Sequence, residues 1–446
     1  MLGDLRVVAV HRDFRKLLSV RLVSQTGDGM FQVGLATLFF FSPENATTAS
    51  GVAAAFAVLL LPFTVVGPFA GVLLDRWRRR QVLLVGNLVR VGLAAVLAVL
   101  LSTAGVGPAV YVLTLVTLSI NRFLLSALSA GLPHVVPRDQ LLMANAVSPT
   151  LGAAAAGVGG GVGLLLGRLA PAGPWHDGVV LLGAATLFGA ASALATRLRR
   201  DQLGPEVVVA PAEVWAKVVD VGRGLVHGAV YLVHERTPGL ALGAMAAHRF
   251  LFGATFIASI LISRNLLSDP ADAGAGLATF ATVLAASAVG FVGAAVLTPV
   301  VHERISPAAW IVLCLGLAAA SQLVLALTVT RATMLGAAFA LGLAAQGAKI
   351  AVDTIVQGDT GDRYRGRAFA LYDVLYNAAF VGAAALTAAT LPDTGYSRGV
   401  FVGIALAYAA TAIAFRAGMA RARLVRAARG SAESVGLQVA ARHAAA

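Results

Sequence analysis

The chain has 446 residues, of which 58% are apolar and only 12% charged, where a soluble domain carries about 25% charged residues. Together with a mean hydropathy of +0.83, this excludes a disordered chain, a coiled coil and an ordinary soluble enzyme. The net charge of +13 therefore calls for a membrane explanation before a nucleic-acid one.

A hydrocarbon core needs about 20 apolar residues per helix. Twelve such runs are predicted, at 17–41, 50–74, 82–102, 108–131, 143–168, 176–196, 239–263, 276–300, 307–329, 331–355, 367–391 and 396–416. The longest connection follows the sixth run. The expected organisation is a cytoplasmic segment 1–16, a six-helix half 17–196, a central loop 197–238, a second six-helix half 239–416 and a basic, mobile tail 417–446. Alternating ten-residue segments are missing, which rejects a β-barrel. The first run is too long for a signal-peptide core, and a second follows at once.

Orientation follows from the 34 Lys and Arg residues. With the amino terminus inside, 25 fall on cytoplasmic segments, 4 on outer loops and 5 within spans. Both termini are therefore expected in the cytoplasm of a multi-pass protein of the cell membrane. The basic charge then serves topology and contact with anionic lipid, and nucleic acid is not an expected partner. The one cysteine, Cys314, is mid-span, so no disulfide framework exists and packing is its simplest role.

Ionisable residues inside spans carry the functional signal, because each is costly there unless paired or wet. At 1.5 Å per residue, Asp28 lies about 16 Å from the cytoplasmic end of span one, Arg122 about 13 Å, Arg249 about 15 Å, Lys349 about 10 Å and Asp373 about 9 Å from that side. Matched depth on different helices points to a central water-filled cavity. Asp28 reads either as a protonatable coupling site or as an acid bridging helices. Arg122 reads as a control on that acid or as a helix clamp, and Arg249, beside His248, as a substrate contact or a packing pair. Lys349 and Asp353, four apart, are expected to form a salt bridge on one helix face. Arg21 is expected to snorkel to the interface. Gln25, Asn121, Gln346 and Asn377 are the few polar groups of an otherwise apolar cavity wall, which suits lipophilic or amphipathic solutes.

Span five carries glycine pairs four apart, 157/161, 159/163 and 163/167, which allow close helix approach. The run from Gly342 to Lys349 mimics a phosphate-binding loop, but the lysine is one place late and no Ser or Thr follows. No zinc, CxxC or nucleophile-elbow motif appears, so no enzyme activity, cofactor or metal is expected.

The loop Gly71-Val-Leu-Leu-Asp75-Arg76-Trp77-Arg78-Arg79-Arg80 resembles the cytoplasmic motif of the major facilitator superfamily, with Arg78 where a glycine is usual. The resemblance covers about residues 15–416 and implies twelve helices in two six-helix halves, the major facilitator fold, and mostly monomeric proteins. It implies that Asp75, with Arg76, Arg79 and Arg90, gates the outward-facing state. Arg122-Phe-Leu-Leu-Ser126, the segment from Leu132-Pro133 to Ala146, Gly157–Gly161 and Gln357–Phe369 are similar to stretches of the drug/proton antiporter (macrolide-efflux-like) and siderophore-exporter-like branches. That resemblance implies a secondary active exporter exchanging small lipophilic or amphipathic compounds for protons, with Asp28 and Arg122 coupling and Gln25, Asn121, Arg249, Gln346, Lys349, Asp373 and Asn377 lining the cavity. Import or facilitated diffusion of a small metabolite is the alternative.

Overall fold

The computed structural model describes residues 10–36, 77–137, 140–170, 175–204, 211–270 and 272–444, and every regular element among them is a helix. In chain order these are α1 (Arg12–Ala36), α2 (Arg79–Ala104), α3 (Pro108–Ala130), a 3-10 turn (Leu132–His134), α4 (Leu141–Leu169), α5 (His176–Ala195) and α6 (Pro211–His234). They continue with α7 (Arg236–Asn265), α8 (Ala273–His302), α9 (Pro307–Leu327), α10 (Arg331–Asp359), α11 (Asp362–Thr390) and α12 (Arg398–Ala444). Among the described residues, ten helices, α2–α5 and α7–α12, are long and apolar enough to cross a bilayer. The helix α1 falls on the first predicted span but carries Arg21, Gln25 and Asp28 through its middle. The second predicted span, 50–74, lies outside the described residues, as do Asp75 and Arg76.

Local chemistry explains the boundaries. α2 stops at Gly105, whose φ of +68° is open to glycine. α3 then starts with Pro108 in its first turn, where a missing N–H breaks no helical bond. α9 begins at Pro307, with the Ser306 hydroxyl accepting from the Ala309 N–H at 3.3 Å. α10 opens on a capping box between Thr330 and Thr333.

Two elements differ from the sequence expectation. The central connection holds α6, and the tail expected to be mobile continues α12 to Ala444. Neither stretch has an apolar run of membrane length, but a helix needs no membrane to form: the α12 extension is rich in Ala, Arg and Leu, whereas the valine-rich α6 is held by packing. The Tyr231 ring of α6 stacks on Tyr364 at 4.1 Å between centroids. Its hydroxyl accepts from the Gly361 N–H at 3.3 Å, fastening the end of α6 to the α10–α11 junction.

The chain forms two compact units, 1–222 and 223–446. In the first, α1 packs on α3, α4 and α5, and α2 on α3 and α5. In the second, α7 packs on α10, α11 and α12, and α9 on α10 and α12. Counted as spans, one touches four, five and six, and seven touches ten, eleven and twelve. The second unit thus repeats the first six spans later, the internal symmetry of many secondary transporters.

Glycine sets the closest approaches. A Cβ on Gly159 would collide with the Thr26 carbonyl of α1, and one on Gly29 with the Ala156 carbonyl of α4. The second unit repeats the device: Gly290 lies against the Phe339 carbonyl and Gly342 against the Ser287 carbonyl. Gly342 is therefore a packing residue within α10, not part of a phosphate loop. Gly157 and Gly161 face open space, so among the expected pairs it is 159/163 that meets α1. We expect Gly159→Ala to cost about 1–3 kcal/mol through overpacking, and Gly157→Ala to leave the unfolding midpoint in detergent unchanged or raised. Equal loss at both positions would contradict the close α1–α4 contact.

Candidate functional site

In the first unit the polar residues of α1 and α2 converge in the core. Asp28 and Arg90 form an ion pair whose side chains are 5% and 0% exposed. The Arg90 guanidinium also lies 3.5 Å from the Ser24 Oγ, and the Ser24 hydroxyl donates to the Asn87 Oδ1 at 3.1 Å. On its far side the guanidinium covers the Phe188 ring of α5, 3.6 Å from the centroid. Phe188 reaches this place because Gly27 has no Cβ; one there would come within 2.7 Å of the ring. The second carboxylate oxygen of Asp28 is buried and has no hydrogen-bond partner among the described residues.

Other sequence candidates of this unit stand around the pair. Arg21 does not snorkel: it is 5% exposed and donates to the Gln25 Oε1 at 3.1 Å and the Ser148 Oγ at 3.2 Å. The physical reason is partnership, because two acceptors on α1 and α4 satisfy the guanidinium without a route to water. Gln25 is thereby committed to Arg21. Asn121 is buried on α3, and its Oδ1 has no partner among the described residues. Arg122 is half-buried beside it. The partner the geometry gives Asp28 is Arg90, a residue that the sequence reading placed with the gate. A signal for this existed: Arg90 lies about 12 Å into span three from the same side, close to the depth of Asp28.

The second unit gathers cations and aromatic rings. Arg249 on α7 lies over Tyr376 at 4.2 Å, Phe380 at 4.4 Å and Phe252 at 5.5 Å from the ring centroids. Among the described residues no carboxylate forms an ion pair with it. Its charge is met by ring faces, each such contact worth up to about 2 kcal/mol when desolvated. Neighbouring His248 is fully buried, and its backbone carbonyl accepts from the Tyr408 hydroxyl at 3.3 Å. Lys349 and Asp353 of α10 form the expected salt bridge, at 2.7 Å, and the ammonium stands 5.8 Å from the Tyr372 ring centroid. Gln346 presents a buried Oε1 with no partner among the described residues. Asn377 donates to the Asp373 backbone carbonyl at 2.7 Å, and Asp373 itself is exposed. The rings of α11 gave no signal beyond apolarity in the sequence.

Exposure ranks these pairs. The side chains of Lys349 and Asp353 are 38% and 25% exposed, so solvent screens their attraction. Lys349→Met is expected to cost less than about 1 kcal/mol, read from chemical unfolding in detergent. A loss of several kcal/mol would mean that Lys349 holds more than Asp353.

At one end of the first unit, Arg79 binds backbone carbonyls. Its Nη1 donates to the carbonyls of Ala130 at 2.8 Å and Leu203 at 2.9 Å and lies 3.1 Å from the His134 Nε2. The neighbouring Arg78 pairs with Asp201 at 2.9 Å. Asp13 joins the same surface, its carboxyl held below the usual range by hydrogen bonds from Lys16 and Gln202. These contacts tie the starts of α1 and α2 to the segment after α5. Among the described residues no three His, Cys, Asp or Glu side chains gather as a metal site.

Three comparisons bear on this architecture. A family model described as Major Facilitator Superfamily matches residues 17–382. The chain is 36% identical, over 86% of its own length and 86% of theirs, to uncharacterized MFS-type transporters of Mycobacterium bovis and Mycobacterium tuberculosis. Among solved structures it is similar in fold to the nucleoside transporter NupG, with a TM-score of 0.64 and 13% identity over 92% of this chain and 99% of that one. It is likewise similar to a POT family transporter in complex with a thioalcohol-conjugated peptide, with a TM-score of 0.67 and 11% identity over 92% and 96% of the two chains.

Proposed function

The chain belongs to the Major Facilitator Superfamily, and on that premise we propose that this membrane transporter is a proton-coupled exporter of small lipophilic or amphipathic compounds, of the drug or siderophore type. The observation that carries the reading is the buried Asp28–Arg90 pair. Two opposite charges in a low-dielectric core make a switch, because neutralising one releases the other. A proton arriving at Asp28 removes the charge that holds Arg90, and the guanidinium then has the Ser24 hydroxyl and the Phe188 ring as its remaining partners. Loss of the proton restores the pair. Arg122, on the neighbouring α3, adjusts the charge state of Asp28 from a distance.

The two conformations so favoured are the inward-facing and outward-facing states of alternating access. Glycine contacts between α1 and α4 and between α8 and α10 provide close, smooth surfaces for such motion. Asp75, Arg76 and Arg79 act at the cytoplasmic gate, Arg79 by binding carbonyls at the ends of α3 and of the segment after α5. On the solute side, Arg249 within its ring cage supplies one positive centre in an apolar wall of the second unit, with Gln346, Lys349, Asp373 and Asn377 as its other polar contacts. An apolar body with a polar group fits such a wall better than a sugar, which needs many hydrogen bonds. The protein works as a monomer in the cell membrane with both termini in the cytoplasm. Uphill transport driven by an imposed pH gradient, compared between the native protein and Asp28→Asn, tests the proposal.

A further inference from the structure

The second unit carries a groove that the transport reading does not use. It has a volume of about 800 Å³ and runs between α6, α7, α11 and α12. Its walls are almost wholly apolar, with Leu240, Leu371, Leu375 and Phe415 among them, and two cations, Arg236 and Arg421, line it as well. Both arginines are exposed, and neither forms an ion pair among the described residues. Arg236 is the first residue of α7, and the wall continues along that helix to Ala244, about 12 Å further along its axis. Arg421 lies beyond the apolar part of α12, while Thr411 and Ala414 line the groove nearer the middle of that helix. The cations are therefore at one end, and the rest of the groove runs from them toward the interior of the bilayer.

The amphipathic helix α6 borders the same end. Val226, Val230 and Val233 form a stripe at helical spacing, 62%, 51% and 76% exposed, while Tyr231 faces the other way onto Tyr364. An exposed valine stripe on a helix at the end of membrane spans is the arrangement of a helix lying in the interface plane. It sets the cations of the groove at the level of lipid headgroups.

We propose that this groove holds one anionic phospholipid, its phosphate on Arg236 and Arg421 and an acyl chain along the apolar wall. Two guanidinium groups offer a phosphate diester bidentate donors and, with two positive charges against its one, disfavour a headgroup that adds a further cation, while a chain of methylene groups matches leucine and phenylalanine. The inference rests on membrane insertion and is independent of the coupling ion and of the transported solute.

The test uses full-length protein purified in detergent, offered equal amounts of phosphatidylglycerol and phosphatidylcholine, with bound lipid counted by native mass spectrometry. The native protein is expected to retain phosphatidylglycerol in preference. Arg236→Gln with Arg421→Gln should lower that preference by about 30-fold, two basic residues acting together. Arg416→Gln with Arg423→Gln, equal in charge but outside the groove, should leave it in place. Gly243 lines the groove and has open space around its absent Cβ, so Gly243→Trp should fill the groove and expel the lipid with every charge intact. The proposal fails if the native protein holds both lipids equally. It also fails if the outer pair of substitutions is as damaging as the inner pair, which would mean a diffuse basic surface, or if Gly243→Trp keeps its lipid.

Discussion

Asp28→Leu is expected to destabilise the protein by about 3–5 kcal/mol, the cost of stranding one partner of a buried ion pair. The partner stranded is Arg90, which is fully buried and has a guanidinium that does not lose its proton in proteins. The converse substitution should cost less. With Arg90→Met, the carboxylate left behind is free to neutralise itself by taking up a proton, so the loss shrinks as the pH is lowered. Asp28→Leu combined with Arg90→Met removes both charges and should be more stable than Asp28→Leu alone, since apolar replacement of a whole buried pair is often close to neutral. The order of the three variants, read from chemical unfolding in detergent, separates an ion pair from simple packing. Greater damage from Arg90→Met than from Asp28→Leu would show that Arg90 acts chiefly through Phe188 and Ser24.

The second large effect concerns transport. Asp28→Asn imitates the protonated acid, since it keeps an acceptor oxygen for Arg90 without a titrating charge. It should therefore fold, and lie between native protein and Asp28→Leu in stability. Exchange of solute at equal concentrations should survive, because that cycle needs no net proton movement. Accumulation driven by a pH gradient should fall to the level of protein-free vesicles. If both activities vanish together, Asp28 serves structure or solute binding, and the proton site lies elsewhere, with Asp373 and Asp353 the next acids to test.

Much of the helical framework is legible from apolar runs alone, because membrane thickness imposes a length that few other constraints imitate. Eleven of the predicted spans fall on described helices. The elements the runs do not reveal are those whose stability has another source: α6, fastened by Tyr231 to the α10–α11 junction, and the extension of α12, built from good helix formers. The internal repeat is equally hidden, since it resides in which helices touch and not in matching residues. For the candidate site, depth along each helix singles out Asp28, Arg249 and Lys349 as candidate intramembrane charges. Depth carries no information on rotation about the helix axis, and rotation decides partners. That is why the pairing of Asp28 with Arg90, the Arg21–Gln25–Ser148 contacts and the ring cage of Arg249 emerge only in three dimensions. Lys349 and Asp353 are the instructive exception: they share one helix, so their spacing fixes their contact.

Proton movement itself is the most direct test of the central claim. Inside-out vesicles with an acidic interior would be given lipophilic cations, antibiotics and siderophores, and proton release recorded for the native protein and for Asp28→Asn. Coupling through Asp28 predicts release by the native protein when a transported compound is added, and none by Asp28→Asn. Equal release by both proteins would contradict it.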